Sequence, residues 1–188
     1  MERVLDTPLN ADGLNLRGIE SRNRLDELEF HYSLGLLTPD SLAEAVRGEA
    51  FYERSLEGLG FGHLRGLMRG FIDLAFQSDD RDYIADYKSN HLGNRVEDYA
   101  ADALGRAMHA HRYPLQALVY TVALHRYLRA RLPGYDYERH FGGVFYLFLR
   151  GMRPETGPAS GAFFTKPRRD LVQRLDETSK GSPHAAPG

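Results

Sequence analysis

Two strand-like runs in this chain carry ionisable residues where a sheet interior calls for apolar ones. Gly70-Phe71-Ile72-Asp73-Leu74-Ala75-Phe76 sets one carboxylate among apolar neighbours, and Asp86-Tyr87-Lys88-Ser89-Asn90 follows with an acid and a base two residues apart. Burying a lone carboxylate in such a run costs on the order of several kcal/mol unless a partner or metal compensates. A chain with these runs must therefore bring compensating groups to them.

Residues 67–76 and 82–88 read as strands, joined by the polar turn Gln77 to Arg81. Side chains alternate along a strand, so Ile84, Asp86 and Lys88 share one face, with about 7 Å between successive same-side positions. If Phe76 pairs with Tyr83, Asp73 falls opposite Asp86. Two carboxylates so placed can hold a hard, oxygen-preferring ion such as Mg²⁺. The ion can activate water and neutralise charge on a phosphodiester undergoing attack. Lys88 would orient the water or stabilise charge on the phosphate. The same spacing also suits a charged surface hairpin. Against that, Phe71, Ile72, Leu74 and Phe76 surround Asp73 and leave it no solvated face.

The rest of the chain supplies a frame for these strands. Residues 1–22 are polar, hold Pro8, Gly13 and Gly18, and read as a loosely structured lead segment. Leu25 to Tyr32 alternates as a half-buried strand. Thr38-Pro39-Asp40 starts a short helix through Val46, with Thr38 as N-cap. Gly58, Gly60 and Gly62 mark residues 50–65 as a connecting loop. A helix is expected over Glu97–His109 and a longer one from Pro114, with Leu115, Leu118, Val119, Val122 and Leu128 at helical spacing. Pro133-Gly134 stops it, and His140-Phe141-Gly142-Gly143 turns into an apolar strand over Val144–Leu149. Beyond Pro154 the composition shifts to Pro, Gly, Ser and charge. A short helix at Arg169–Glu177 is expected, with disorder over 179–188. The domain proper thus spans 23–178. The order of elements makes a mixed α/β fold, a sheet with helices packed on it.

At 188 residues the chain suits one domain. A net charge of -2 gives no overall electrostatic signal for nucleic acid. The absence of cysteine rules out disulfides and thiolate chemistry and fits a reducing cytoplasm. No secretory signal opens the chain, and no apolar run approaches the roughly 18–20 residues that span a bilayer. No phosphate-binding loop of the Gly-x-x-x-x-Gly-Lys-Ser/Thr type occurs, so ATP-driven work is not encoded in these residues.

The residues resemble a family over about Pro8 to Leu175. Its marks are Gly-Phe-Ile-Asp-Leu, Asp-Tyr-Lys-Ser-Asn, His111-Arg112-Tyr113, Gln116 with Tyr120, Ala123 through Leu128, Tyr135-Asp136-Tyr137, His140 through Gly143, and Tyr146 through Gly151. The series resembles the C-terminal nuclease domains of RecB, the beta subunit of exodeoxyribonuclease V, within the PD-(D/E)xK nucleases. The resemblance implies a restriction-endonuclease-like sheet and a Mg²⁺-dependent DNA nuclease serving recombinational repair or DNA degradation. It makes Asp73 and Asp86 metal ligands, the Tyr87 carbonyl a third, and Lys88 the catalytic lysine. Gln116 and Tyr120 become the family's Gln-x-x-x-Tyr pair, four apart on one helix face, with Arg112 a further DNA-binding or supporting residue. Such domains begin with a helix bearing a metal-ligand histidine; this sequence starts after that point, so the expected site is under-ligated, with water or Glu29 filling in. His31 is not the match. The implied partners are DNA, RecC- or RecD-like or helicase subunits, and RecA. The alternative is a non-catalytic or split fragment that docks RecA or a helicase partner. Arg65, Arg69, Lys88, Arg112, Arg126 and Arg129 could form a phosphate-binding strip, and a solvated charged face explains most of them equally well.

Overall fold

In a computed structural model that describes residues 2–180, the chain forms a mixed sheet flanked by helices. Its strands are β1 (Arg24–Leu37), β2 (Leu64–Ser78), β3 (Arg81–Lys88), β4 (Phe141–Phe148) and β5 (Ala162–Thr165). They lie in the order β1-β2-β3-β4-β5, with β3 and β4 parallel and the other neighbours antiparallel. The helices are α1 (Glu2–Leu5), α2 (Pro39–Val46), α3 (Ala50–Glu53), α4 (Ala101–Ala110), α5 (Tyr113–Arg131), α6 (Tyr137–His140) and α7 (Arg169–Lys180). A parallel pair needs a long crossover, and α4, α5 and α6 supply it between β3 and β4.

Thr38 caps α2 as its sequence position suggests: its side chain accepts from the Ser41 amide at 3.1 Å, and the Ser41 hydroxyl accepts from the Thr38 amide at 2.9 Å. Arg112 enters α5 in the left-handed region at φ 55°, and Pro114 follows at the start of the helix, where a missing amide is no loss. The α5 helix is buried on much of its circumference, through Leu118, Thr121, Val122, Leu124 and His125, because it lies across the sheet. All eight residues of β4 are buried, as a central strand covered on both faces requires. Gly142 admits the Tyr83 ring so closely that a Cβ there would collide with it.

Two apolar clusters lie on the two faces of the sheet. One packs Ile72, Ile84, Val144, Tyr146 and Phe148 against the helices. The other packs Leu74, Phe76, Ala85, Phe145 and Leu147 against Leu9, Leu16 and Ile19. The lead segment expected to be loose thus covers the second face; Leu9 and Leu16 are each 3% exposed. Its apolar residues are sparse and its glycines many, which hides the packing from a periodicity reading. Three further boundaries differ. Residues 50–65 include α3 and a 3₁₀ turn over Arg54–Leu56, β1 continues to Leu37, and β5 lies in the stretch read as tail. The α7 helix runs through 179 and 180, with Ser179 buried; residues 181–188 of the expected disordered tail lie outside the described residues. Among the described residues no helix is long and apolar enough to cross a membrane.

Candidate active site

The β2–β3 register pairs Phe76 with Tyr83 and continues to Leu74 opposite Ala85, where the ladder stops. Asp73 and Asp86 are the next facing positions. The Tyr87 amide, instead of completing another rung, donates to Asp73 Oδ2 at 2.8 Å. On its other side, the pairing of β1 with β2 passes from Asp26↔Leu74 to Leu28↔Ile72, skipping Glu27 and Asp73. Glu27 there adopts φ 52°, a left-handed conformation rare for a residue with a side chain. Ile72 and Ala75 belong to the same cluster although three residues apart, so the alternation of β2 inverts between them. Asp73 sits at that inversion, half-buried. Phe71 is 49% exposed, so the expectation that apolar neighbours enclose Asp73 completely is corrected.

Asp86 is 3% exposed, on the helix-facing side of β3. The Lys88 ammonium lies 2.5 Å from Asp86 Oδ2. It lies off the line of a hydrogen bond, leaving Oδ2 a buried acceptor with no donor aligned on it. The ammonium also donates to Gln116 Oε1 at 3.1 Å. Gln116 Nε2 donates to the Tyr120 hydroxyl at 2.8 Å, and that hydroxyl adjoins the Asp86 carboxylate and lowers its pKa. Asp86, Lys88, Gln116 and Tyr120 therefore close a ring of polar contacts between β3 and α5. The i, i+4 spacing of Gln116 and Tyr120 places both on the face of α5 turned to β3.

Burial raises the Asp86 pKa above the ordinary carboxylate value; Lys88 opposes that rise, the Asp73 charge adds to it, and the Tyr120 hydrogen bond opposes it. The Tyr120 phenol is pushed up to about 12 by burial and by the Asp86 charge, so it keeps its proton near neutral pH. Two aromatic rings complete the lysine's surroundings. Lys88 Nζ lies 3.9 Å from the Tyr113 ring centre and 5.4 Å from that of Tyr146. The two rings stack at 5.6 Å, and the Tyr146 hydroxyl donates to the Tyr113 carbonyl. Sequence reasoning gave these tyrosines no role at the lysine; the aromatic at the first turn of α5 beside a buried strand tyrosine is the signal that could have found them.

The donors fit a hard divalent cation. An aligned donor is lacking at one buried carboxylate oxygen of Asp86, Asp73 faces it, and the Tyr87 carbonyl adjoins Asp86 in the chain. The Tyr87 side chain packs into the opposite cluster, so only its backbone is free to take part. An oxygen set of two carboxylates, completed by waters and substrate phosphate, suits Mg²⁺. Among the described residues no group of three or more His, Cys, Asp and Glu side chains gathers to hold a metal.

Other predicted residues lie elsewhere. Arg112 donates to the Ser55 carbonyl at 2.9 Å, away from the ring. Glu29, offered as a substitute ligand, is exposed and paired with Arg69 at 2.6 Å. His31 is exposed in β1 opposite Arg69. The expected phosphate strip is dispersed, since Arg126 and Arg129 both bind the buried Asp176, at 2.5 and 2.9 Å. His125 is buried, its Nδ1 3.1 Å from the Tyr135 hydroxyl.

A family model described as the PD-(D/E)XK nuclease superfamily matches residues 26–187. The chain is 44% identical over 179 residues to the RecBCD enzyme subunit RecB of Escherichia coli (strain K12), covering 95% of this chain and 15% of that protein. It is 39% identical over 184 residues to RecB of Haemophilus influenzae, covering 94% of this chain and 14% of that protein. With RecB of Mycobacterium tuberculosis (strain CDC 1551 / Oshkosh) it shares 42% identity over 198 residues, 92% of this chain and 18% of that protein. The chain thus spans under a fifth of the length of these curated relatives.

Proposed function

The chain belongs to the PD-(D/E)XK nuclease superfamily, and from that premise we propose that it hydrolyses DNA phosphodiester bonds with a divalent cation, Mg²⁺ being the ion of choice. The observation that carries this reading is the buried Asp86 beside Lys88 and Asp73, at the point where the β2–β3 ladder ends. A surface hairpin would leave these charges in water. Here they are held by Gln116 and Tyr120, at a desolvation cost that binding a cation offsets.

In this reading Asp73, Asp86 and the Tyr87 carbonyl would hold the cation, and the chemistry it would supply is a more acidic water and neutralisation of charge on the phosphate. Asp86 must be ionised to do so, and the neighbouring Tyr120 hydroxyl favours that form by lowering its pKa. Lys88 supplies positive charge and a donor where negative charge develops on the phosphate oxygens. Gln116 fixes the ammonium from one side and the Tyr113 ring from another, so the charge is positioned before substrate arrives. Partner subunits of the RecC or RecD kind and contact with RecA belong to the same proposal, supported by the names of the relatives alone.

The test is degradation of linear single- and double-stranded DNA by the purified chain with Mg²⁺, in parallel with EDTA and with Asp86→Ala. Cleavage abolished by both supports the two-carboxylate site. Cleavage that survives either one, or no cleavage by a chain that circular dichroism shows folded, overturns it.

A further inference from the structure

Immediately beyond the catalytic strand lies a second basic feature that the ring of Asp86, Lys88, Gln116 and Tyr120 does not use. A cavity of about 180 Å³ is lined by residues that include His91, Asn94, Arg95, Tyr99, Arg150 and Arg153. Three arginines thus line it from two loops, one following β3 and the other following β4. Its size is below that of the roughly 300 Å³ pockets that take whole nucleosides or drug-sized ligands, and suits a single tetrahedral anion.

The wall is built rather than incidental. The Arg150 Nε donates to the Ser89 carbonyl at 3.0 Å, which fixes the guanidinium and leaves its two terminal nitrogens for another acceptor. Tyr99 is 3% exposed, and its hydroxyl accepts from the Leu92 amide at 3.1 Å, pinning the first loop. Gly151 lies so close to Tyr99 that a Cβ would strike the ring. The Ser160 hydroxyl holds the Gly151 carbonyl at 2.9 Å. His91 and Asn94 pair across the loop at 3.0 Å. Arg95 reaches Asp98 only at 3.7 Å, so its charge is weakly spent.

The position relative to the site follows from the parallel register. Lys88 pairs with Phe148, and the Leu149 amide donates to the Lys88 carbonyl at 3.0 Å. Arg150 follows in the turn that the Gly151 amide closes on the Phe148 carbonyl at 2.9 Å, and its bond to the Ser89 carbonyl sets it beside the residue next to Lys88. The cavity therefore adjoins the end of the strand that carries Lys88.

We propose that this cavity binds the DNA phosphate next to the scissile one, with Arg95, Arg150 and Arg153 as its ligands. The inference rests on the nuclease reading above. Its function is to set which bond of the strand faces Asp86 and Lys88, so the three arginines act as positioning residues for the cut.

The experiment uses the whole chain and Arg95→Gln/Arg153→Gln, with Arg22→Gln/Arg47→Gln as a control that removes the same charge from exposed positions outside the cavity. Binding of a fluorescent single-stranded oligonucleotide is followed in EDTA across a salt series. Cleavage with Mg²⁺ is followed on that oligonucleotide and on thymidine 5′-(p-nitrophenyl phosphate), which offers no neighbouring phosphate. The double variant should bind roughly three- to tenfold more weakly. Its log–log salt slope should be shallower by about 0.7, the share of one phosphate that the protein no longer neutralises. KM on the oligonucleotide should rise while kcat/KM on the small diester stays unchanged. An unchanged slope, or an equal loss in Arg22→Gln/Arg47→Gln, overturns the subsite even if DNA is cut. A slope that falls as expected in a chain that cuts neither substrate supports the subsite as a phosphate site and refutes the nuclease reading instead.

Discussion

Gln116 touches both halves of the polar ring, and removing its side chain tests whether the ring does catalytic work. Its Oε1 accepts from Lys88 at 3.1 Å and its Nε2 donates to Tyr120 at 2.8 Å. In Gln116→Ala the Lys88 ammonium loses a hydrogen bond of the charged kind, worth about 1.5–3 kcal/mol. Lys88 keeps Asp86 at 2.5 Å and the Tyr113 ring at 3.9 Å, so the side chain stays in place but is no longer aimed. If the aim matters only when charge develops on the phosphate, the whole loss falls on the rate, about 10- to 100-fold. Neither carboxylate is touched, so the Mg²⁺ concentration for half-maximal rate should shift by under about threefold. Single-turnover cleavage of a labelled oligonucleotide across a Mg²⁺ titration reads both quantities. A double-mutant cycle with Tyr120→Phe should show coupling of about 0.5–3 kcal/mol, since the two side chains share a hydrogen bond. An unchanged rate would refute the reasoning. So would strictly additive losses, or a rate that falls only in step with Mg²⁺ affinity.

Three further outcomes follow from packing and charge. Asp176→Ala leaves the Arg126 side chain, 15% exposed, without its carboxylate; urea denaturation should show a loss of about 3–5 kcal/mol, and a loss below about 1 kcal/mol would mean that the Ser179 and backbone bonds of Arg126 suffice to hold it. Burial, with Arg54 nearby, lowers the His109 pKa. The neutral form is thus favoured by folding, and the stability it contributes is present above about pH 6.5 and lost as pH falls through the lowered folded value. Denaturant midpoints should therefore drop across that window in the wild type and be flatter in His109→Gln; parallel curves would contradict the assignment. In Gly142→Ala the new methyl meets the Tyr83 ring, and calorimetry should register a loss of about 1–3 kcal/mol, whereas an unchanged melting temperature would show that the ring moves freely.

The hairpin that carries Asp73, Asp86 and Lys88 was legible because its information is local. Alternation over 82–88 and a polar turn at Gln77 to Arg81 mark the hairpin, the Phe76–Tyr83 pairing assumed for it is the one observed, and the spacing of Gln116 and Tyr120 fixes a shared helix face. The inversion of β2 at Asp73 was not legible. It depends on Glu27 taking a left-handed conformation in a neighbouring strand, and no residue type announces that. The covering of the second sheet face by Leu9, Leu16 and Ile19 was missed for a related reason: three apolar residues in an irregular segment have no period. Arg126 and Arg129 illustrate the limit on charge reading. A row of arginines on a helix looks like a phosphate track until the fold brings a buried carboxylate, Asp176, against it.

The parallel pairing of β3 with β4 has a kinetic consequence. The β2–β3 hairpin closes across a turn of a few residues, but Lys88 meets Phe148 only after α4, α5 and α6 have crossed between them. Contacts between residues so distant in sequence form late, because their loop entropy is lost before they give anything back. Gln116 and Tyr120 ride on the same crossover, so the lysine is aimed only in the last stage of folding. Pulsed hydrogen exchange should find the rungs from Leu74 to Ser78 protected before those joining β3 to β4; the reverse order would contradict this sequence of events. A partly folded chain then carries both carboxylates without the lysine aimed at them, so under the proposed function the site is assembled only when the domain is complete.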